Sequence, residues 1–140
     1  YEICACLVGS EMCIRDRQNP LDKVKQAVTV EELINMQNKV KEVFVSEDMA
    51  KYIIMLVTAT RQNSLFERGA SPRAALSLKD MAKAAAFADD RDYIVPRDIQ
   101  NIFVATISHR VILSAEANAK KISVTKALNE ILRTTRQPKI

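Results

Sequence analysis

Apolar positions recur at helical spacing through most of the chain from Thr29 onward. Val30, Leu33, Ile34, Gln37 and Val40 mark one face, which predicts a helix over residues 30–41. Thr29-Val-Glu-Glu32 ahead of it reads as a capping box, in which the threonine hydroxyl and the Glu32 carboxylate each satisfy a free amide. Val43-Phe-Val45 is a short extended piece. Ser46, followed by Glu47 and Asp48, is an N-cap with acids in the first turn. The helix it opens shows Met49, Ile53, Leu56, Val57 and Thr60 on its main face. Tyr52, Ile54, Met55 and Ala59 make the other side apolar too, which predicts a central position in a bundle. The pattern fades near Arg61, and "SLFERGA" reads as a loop.

Ser71-Pro72 starts a third helix, with serine as cap and proline in the first turn. Its expected buried side is Ala74, Leu78, Met81, Ala82 and Ala85, and so many alanines allow a neighbouring helix to come close. "RDYIVPRD" ends it. Tyr93-Ile-Val95 is strand-like, and Pro96 opens a fourth helix with Ile99, Ile102, Phe103 and Thr106 inward. "HRVILS" closes that helix. After a polar stretch, Ser123 caps a last helix bearing Val124, Ala127, Leu128, Ile131 and Leu132. The expected fold class is all-α, a bundle of about five helices with at most short strands and no internal repeat.

Composition agrees with helices. Two glycines in 140 residues leave little room for hairpin turns, and Ala, Leu, Lys, Glu and Met are abundant. No apolar run approaches the roughly 18 residues of a membrane helix, so no membrane partner is expected and the cytoplasm is the expected location. The 21 basic and 17 acidic residues give a formal net charge of +4, which permits an acidic partner without demanding one.

All three cysteines, Cys4, Cys6 and Cys13, fall near the N-terminus. They lack the fourth ligand of a zinc site, the lone histidine is His109, and an odd cluster staples nothing to the rest of the chain. No metal site is expected. Read back through the genetic code, the run from Cys6 to Arg17 resembles a translated sequencing-library transposase adapter. Residues 1–17 are therefore expected to be non-native and are left out of fold reasoning, with native sequence starting near Gln18. Residues 18–45 are expected to form a linker and first helix, and 46–140 the main domain.

Three places could bear chemistry. Gly69-Ala-Ser-Pro-Arg73 puts an arginine in a helix's first turn, where the dipole disfavours it unless an anion is near. A helix N-terminus beside a guanidinium suits phosphate, although position alone favours a solvated side chain. His109-Arg110 at a helix end reads as a cap for terminal carbonyls. Asp89-Asp-Arg-Asp92 reads as a solvated turn.

The stretch from Arg68 to Val111 resembles the C-terminal helical lid of MoxR-type AAA+ ATPases. The elements of that lid stand here as Gly69-Ala-Ser-Pro-Arg-Ala74, Arg91-Asp-Tyr-Ile-Val-Pro-Arg-Asp-Ile99 and His109-Arg110. Tyr52-Ile-Ile-Met-Leu-Val-Thr-Ala-Thr-Arg61 matches the family's Y-I-x-x-L-V-x-A-T-R helix. The resemblance implies that Arg73 is sensor 2, reaching the γ-phosphate of ATP, with Gly69, Ser71 and Pro72 close to the nucleotide. It implies ATP and magnesium as cofactors, bound mainly by a missing AAA+ core domain, since the chain has no G-x-x-x-x-G-K-[ST] and no apolar strand ending in Asp-Glu. A homo-oligomeric ring, hexameric in the family, would couple ATP hydrolysis to remodelling or activating client proteins. The fragment alone is not expected to hydrolyse ATP.

The alternative is a basic helical module that binds nucleic acid or acts as an adaptor. Tyr93-Ile-Val-Pro-Arg-Asp-Ile99 is similar to the strand–helix close of histone-like folds. The basic residues are, however, scattered without the clustered stripe or aromatic platform of such a module, so nucleic acid is not the expected partner.

Overall fold

A computed structural model describes residues 25–138; the readings of residues 1–17 and 18–24 lie outside them. Two compact units, Tyr1–Ile34 and Asn35–Ile140, are taken separately. In the first, the capping box forms: the Thr29 amide donates to Glu32 Oε2 at 2.7 Å, and the Glu32 amide to Thr29 Oγ1 at 3.2 Å. The bond from the Thr29 amide holds the Glu32 carboxyl below its ordinary value. It opens helix α1, Val30–Glu42, on which Val30, Leu33 and Ile34 are exposed.

In the second unit α1 ends at Glu42, and the chain turns through buried Val43. Helix α2, Glu47–Gln62, is capped by the Ser46 hydroxyl, which accepts the Met49 amide at 3.3 Å. It buries Met49, Tyr52, Ile53, Leu56, Val57 and Thr60 and leaves Ile54 and Met55 exposed. Helices α3, Pro72–Ala88, and α4, Pro96–Ile107, follow. A single 3₁₀ turn, Ser108–Arg110, leads to a five-residue helix α5, Ala115–Ala119, and to α6, Val124–Thr134. Helix α2 packs against α3, α4 and α6, so it is central as expected, although Ile54 and Met55 on its second apolar side stay exposed.

The tightest pairing is α3 with α4. Ala74, Leu78, Ala82 and Ala86 are all fully buried and repeat every fourth residue along α3, a spacing that forms one ridge of a helix surface. The expected face was rotated: Met81 is half exposed and Ala85 only partly covered. An alanine-rich helix has too little contrast between its sides to fix that rotation. On α4, Ile99, Phe103 and Thr106 are buried as expected, together with Ile107.

A segment expected as a loop and one expected only to close a helix pair instead. Strand β1, Phe66–Arg68 within "SLFERGA", runs antiparallel to β2, Ile112–Leu113 within "HRVILS". Their pairing partners lie more than 40 positions apart, beyond the reach of a local pattern. The extended pieces read at Val43-Phe-Val45 and Tyr93-Ile-Val95 also meet: the Phe44 amide donates to Asp92 O at 2.7 Å, and the Ile94 amide to Phe44 O at 3.2 Å. Short α5 had no amphipathic signal of its own.

The motif from Arg91 to Ile99 is an ion-paired corner. Helix α3 ends with Asp90 in the left-handed region, φ 58°, and the Arg91 amide returns to Ala86 O at 2.9 Å. Arg91 Nη1 donates to Asp98 Oδ2 at 2.8 Å and Nη2 to Asp98 Oδ1 at 2.6 Å, while Nη2 also reaches Asp89 Oδ2 at 2.9 Å. Asp98, 3% exposed, further accepts the Val95 amide at the start of α4. The cluster read as a solvated turn is thus half structural: Asp89 and Arg91 join the two helices, and Asp90 and Asp92 face solvent.

Candidate functional site

The loop before α3 is fixed from α2. Thr60 is fully buried, and its hydroxyl donates to Val57 O at 2.7 Å and accepts the Ala70 amide at 2.9 Å. The next residue, Arg61, donates through Nε to Ala70 O at 2.7 Å. Both backbone polar groups of Ala70 are therefore held by two consecutive side chains of α2. Gly69 lies flat against the same helix: a Cβ there would stand 2.6 Å from Arg61 Cα, Arg61 N and Thr60 O. Only glycine permits that approach.

From this clamp the chain reaches Arg73 in three residues. Ser71 is extended (φ −76°, ψ 163°), Pro72 takes the first helical position with its ring-fixed φ, and the first helical bond runs from the Ala74 amide to Ser71 O at 2.8 Å. The Ser71 hydroxyl makes no cap bond, unlike those of Ser46, Ser114 and Ser123. The first turn of α3 contains no acid. The Arg73 side chain is exposed and belongs to none of the ion pairs among the described residues. Of the four residues expected near a nucleotide, Ser71, Pro72 and Arg73 are exposed and Gly69 is half-buried at the helix contact.

The arrangement is a cationic, donor-rich helix start without internal neutralisation. The Arg73 amide, an unused hydroxyl and a guanidinium share one short segment, a donor set that matches phosphate oxygens. Among the described residues, no three His, Cys, Asp or Glu side chains gather as a metal site would require. His109 lies outside this segment and does not cap α4; its Nε2 accepts from Arg110 Nε at 3.1 Å within the 3₁₀ turn. Sequence reasoning missed the roles of Thr60 and Arg61. Their signal was there, as the final T-R of the Tyr52–Arg61 motif, but nothing in one sequence says that these two residues meet Ala70.

Comparison with known proteins agrees with this geometry. The family model for the AAA lid domain matches residues 58–131, from within α2 to α6. The uncharacterized protein YeaC of Bacillus subtilis is 29% identical over 127 residues, covering 91% of this chain and 40% of YeaC. Chaperone MoxR1 of Mycobacterium tuberculosis is also 29% identical over 127 residues, covering 84% of this chain and 34% of MoxR1. A crystal structure of a candidate ATPase from Cytophaga hutchinsonii superposes with a TM-score of 0.80 at 36% identity, over 88% of this chain and 40% of that one. The chain thus spans at most about two fifths of the length of these relatives. With its helical bundle, the clamped loop before α3 and the matched family model, the chain belongs to the AAA lid domain family, as the lid of a MoxR-type AAA+ ATPase.

Proposed function

We propose that this lid completes a nucleotide site whose phosphate cradle and magnesium belong to an AAA+ core domain, and that Arg73 acts there as sensor 2. When ATP and magnesium are bound, the metal neutralises phosphate charge. The lid adds a guanidinium aimed at the terminal phosphate, where charge changes most during transfer. Ser71 contributes its hydroxyl and Pro72 sets the backbone direction. In this reading, ATP binding and hydrolysis move the lid within a homo-oligomeric ring, as in hexameric AAA+ assemblies, and that movement remodels or activates a client protein.

The observation that supports the reading best is the state of Arg73: exposed, unpaired among the described residues, and one residue into a helix whose first turn has no acid. An arginine there sits against the helix dipole, an arrangement that a bound anion would relieve. The test is Arg73→Ala in the full-length ATPase that carries this lid. Turnover of ATP is expected to fall by about 10³-fold, while the melting temperature of the lid changes little, as for an exposed substitution worth under about 0.5 kcal/mol. Equal turnover at matched protein concentration would remove the sensor role.

A further inference from the structure

We propose that Thr60 and Arg61 are positioning residues for Arg73: they hold Ala70 so that the guanidinium three residues later meets the phosphate in register. The inference rests on the sensor reading of Arg73 and adds to it what sets the aim of that side chain. Three observations converge. The Ala70 amide and carbonyl are bound at 2.9 and 2.7 Å by Thr60 Oγ1 and Arg61 Nε. Gly69 abuts the α2 backbone with no room for a side chain. Between the clamp and Arg73 stand only Ser71 and Pro72, and proline removes one of the few free torsions. The α3 start is thereby indexed to the end of α2 instead of resting on packing alone.

Ala70 is fully buried, so its amide and its carbonyl both need partners, and Thr60 supplies the first. The second bond comes from a long, exposed arginine whose side chain loses rotamer freedom to make it. A group that stabilises a transition state tolerates little misplacement, and an error of about 1 Å can lower the rate by about 10²-fold. Precise indexing of α3 is what such a group requires, and the Arg61 bond supplies it.

The experiment is a double-mutant cycle in the full-length ATPase, with kcat and KM for ATP measured separately. Arg61→Ala is expected to lower kcat by about 10- to 100-fold and to leave KM within about 2-fold. In an Arg73→Ala background the same change is expected to lower kcat by less than about 2-fold, because its effect passes through Arg73. Arg61→Gln decides between aim and charge. Its Nε2 lies as many bonds from Cα as arginine's Nε, so it can keep the bond to Ala70 O without a positive charge. It is also the gentler variant for folding. If Arg61 positions, Arg61→Gln retains kcat within about 5-fold of wild type, the residue of a preserved hydrogen bond; loss equal to that of Arg61→Ala overturns the proposal in favour of direct phosphate contact. Equal losses for Arg61→Ala with and without Arg73 would overturn it as well. An Arg73→Ala enzyme with wild-type kcat would remove the sensor reading itself, a result distinct from either of these.

Discussion

Asp98 shows how a single buried carboxylate holds the α3–α4 corner. Burial by itself pushes its pKa up. Two guanidinium bonds from Arg91 and the Val95 amide outweigh that, and the group ends below the ordinary carboxylate value. Removing one partner of such a pair leaves the other without compensation. Asp98→Asn is therefore expected to cost about 2–3 kcal/mol of stability, toward the lower end for a buried pair because the Arg91 side chain is 22% exposed. Asp89→Asn, which loses a contact made by a largely exposed carboxylate, should cost under about 1 kcal/mol. The sign with pH follows from the depressed value. The contribution of Asp98 is complete above the unfolded carboxylate pKa, about 4, and is lost as pH falls through its lower folded value. Urea titrations from pH 7 downward should show a constant gap between wild type and Asp98→Asn until about pH 5, then a narrowing one. A gap independent of pH down to pH 2 would contradict this. The pair was not legible in the sequence, because its members lie seven apart across the Pro96 break and the acids beside Arg91 suggested only a solvated turn.

The helix starts divide into two kinds. Ser46 and Ser123 accept first-turn amides at 3.3 and 3.2 Å, whereas the Ser71 hydroxyl makes no cap bond. Ser46→Ala and Ser123→Ala should each lower stability by about 1 kcal/mol. Ser71→Ala should change it by no more than about 0.3 kcal/mol, because no cap bond is lost. Denaturant midpoints of the three variants check this, and a Ser71→Ala loss as large as the others would mean that its hydroxyl does cap α3. These helix starts were legible because capping is local: serine just ahead of a helical apolar pattern, reinforced by acids after Ser46 and by proline after Ser71. The rotation of α3 was not, since alanines line several of its sides and only tertiary packing selects Ala82 and Ala86 over Met81 and Ala85. The β1–β2 pair escaped for a related reason. Strands of three and two residues have no period to read, and their partners lie more than 40 positions apart in the chain.

At the scale of the whole chain, the proposed site offers one guanidinium and one helix start, and phosphoryl transfer needs more. Its catalysis rests on positioned charge: a cradle of amides around the phosphates, a lysine, and a metal that would neutralise developing negative charge. These 140 residues contain no G-x-x-x-x-G-K-[ST], and the described residues gather no metal-binding cluster. What remains is exposed to water, where a single ion pair with a phosphate is worth about 1 kcal/mol or less, too little for saturable binding below about 1 mM. The purified 140-residue chain with ATP and magnesium is therefore expected to release phosphate at the rate of buffer alone, and its melting temperature should not move on adding 1 mM ATP, a concentration far below the one at which so weak a contact would saturate. Turnover should appear only when a nucleotide-binding domain is joined to it, and should then depend on Arg73. Phosphate release by the isolated chain that survives repurification and is abolished by Arg73→Ala would show the opposite, that this helix start is itself a complete site and needs no other domain to supply the phosphate's remaining partners.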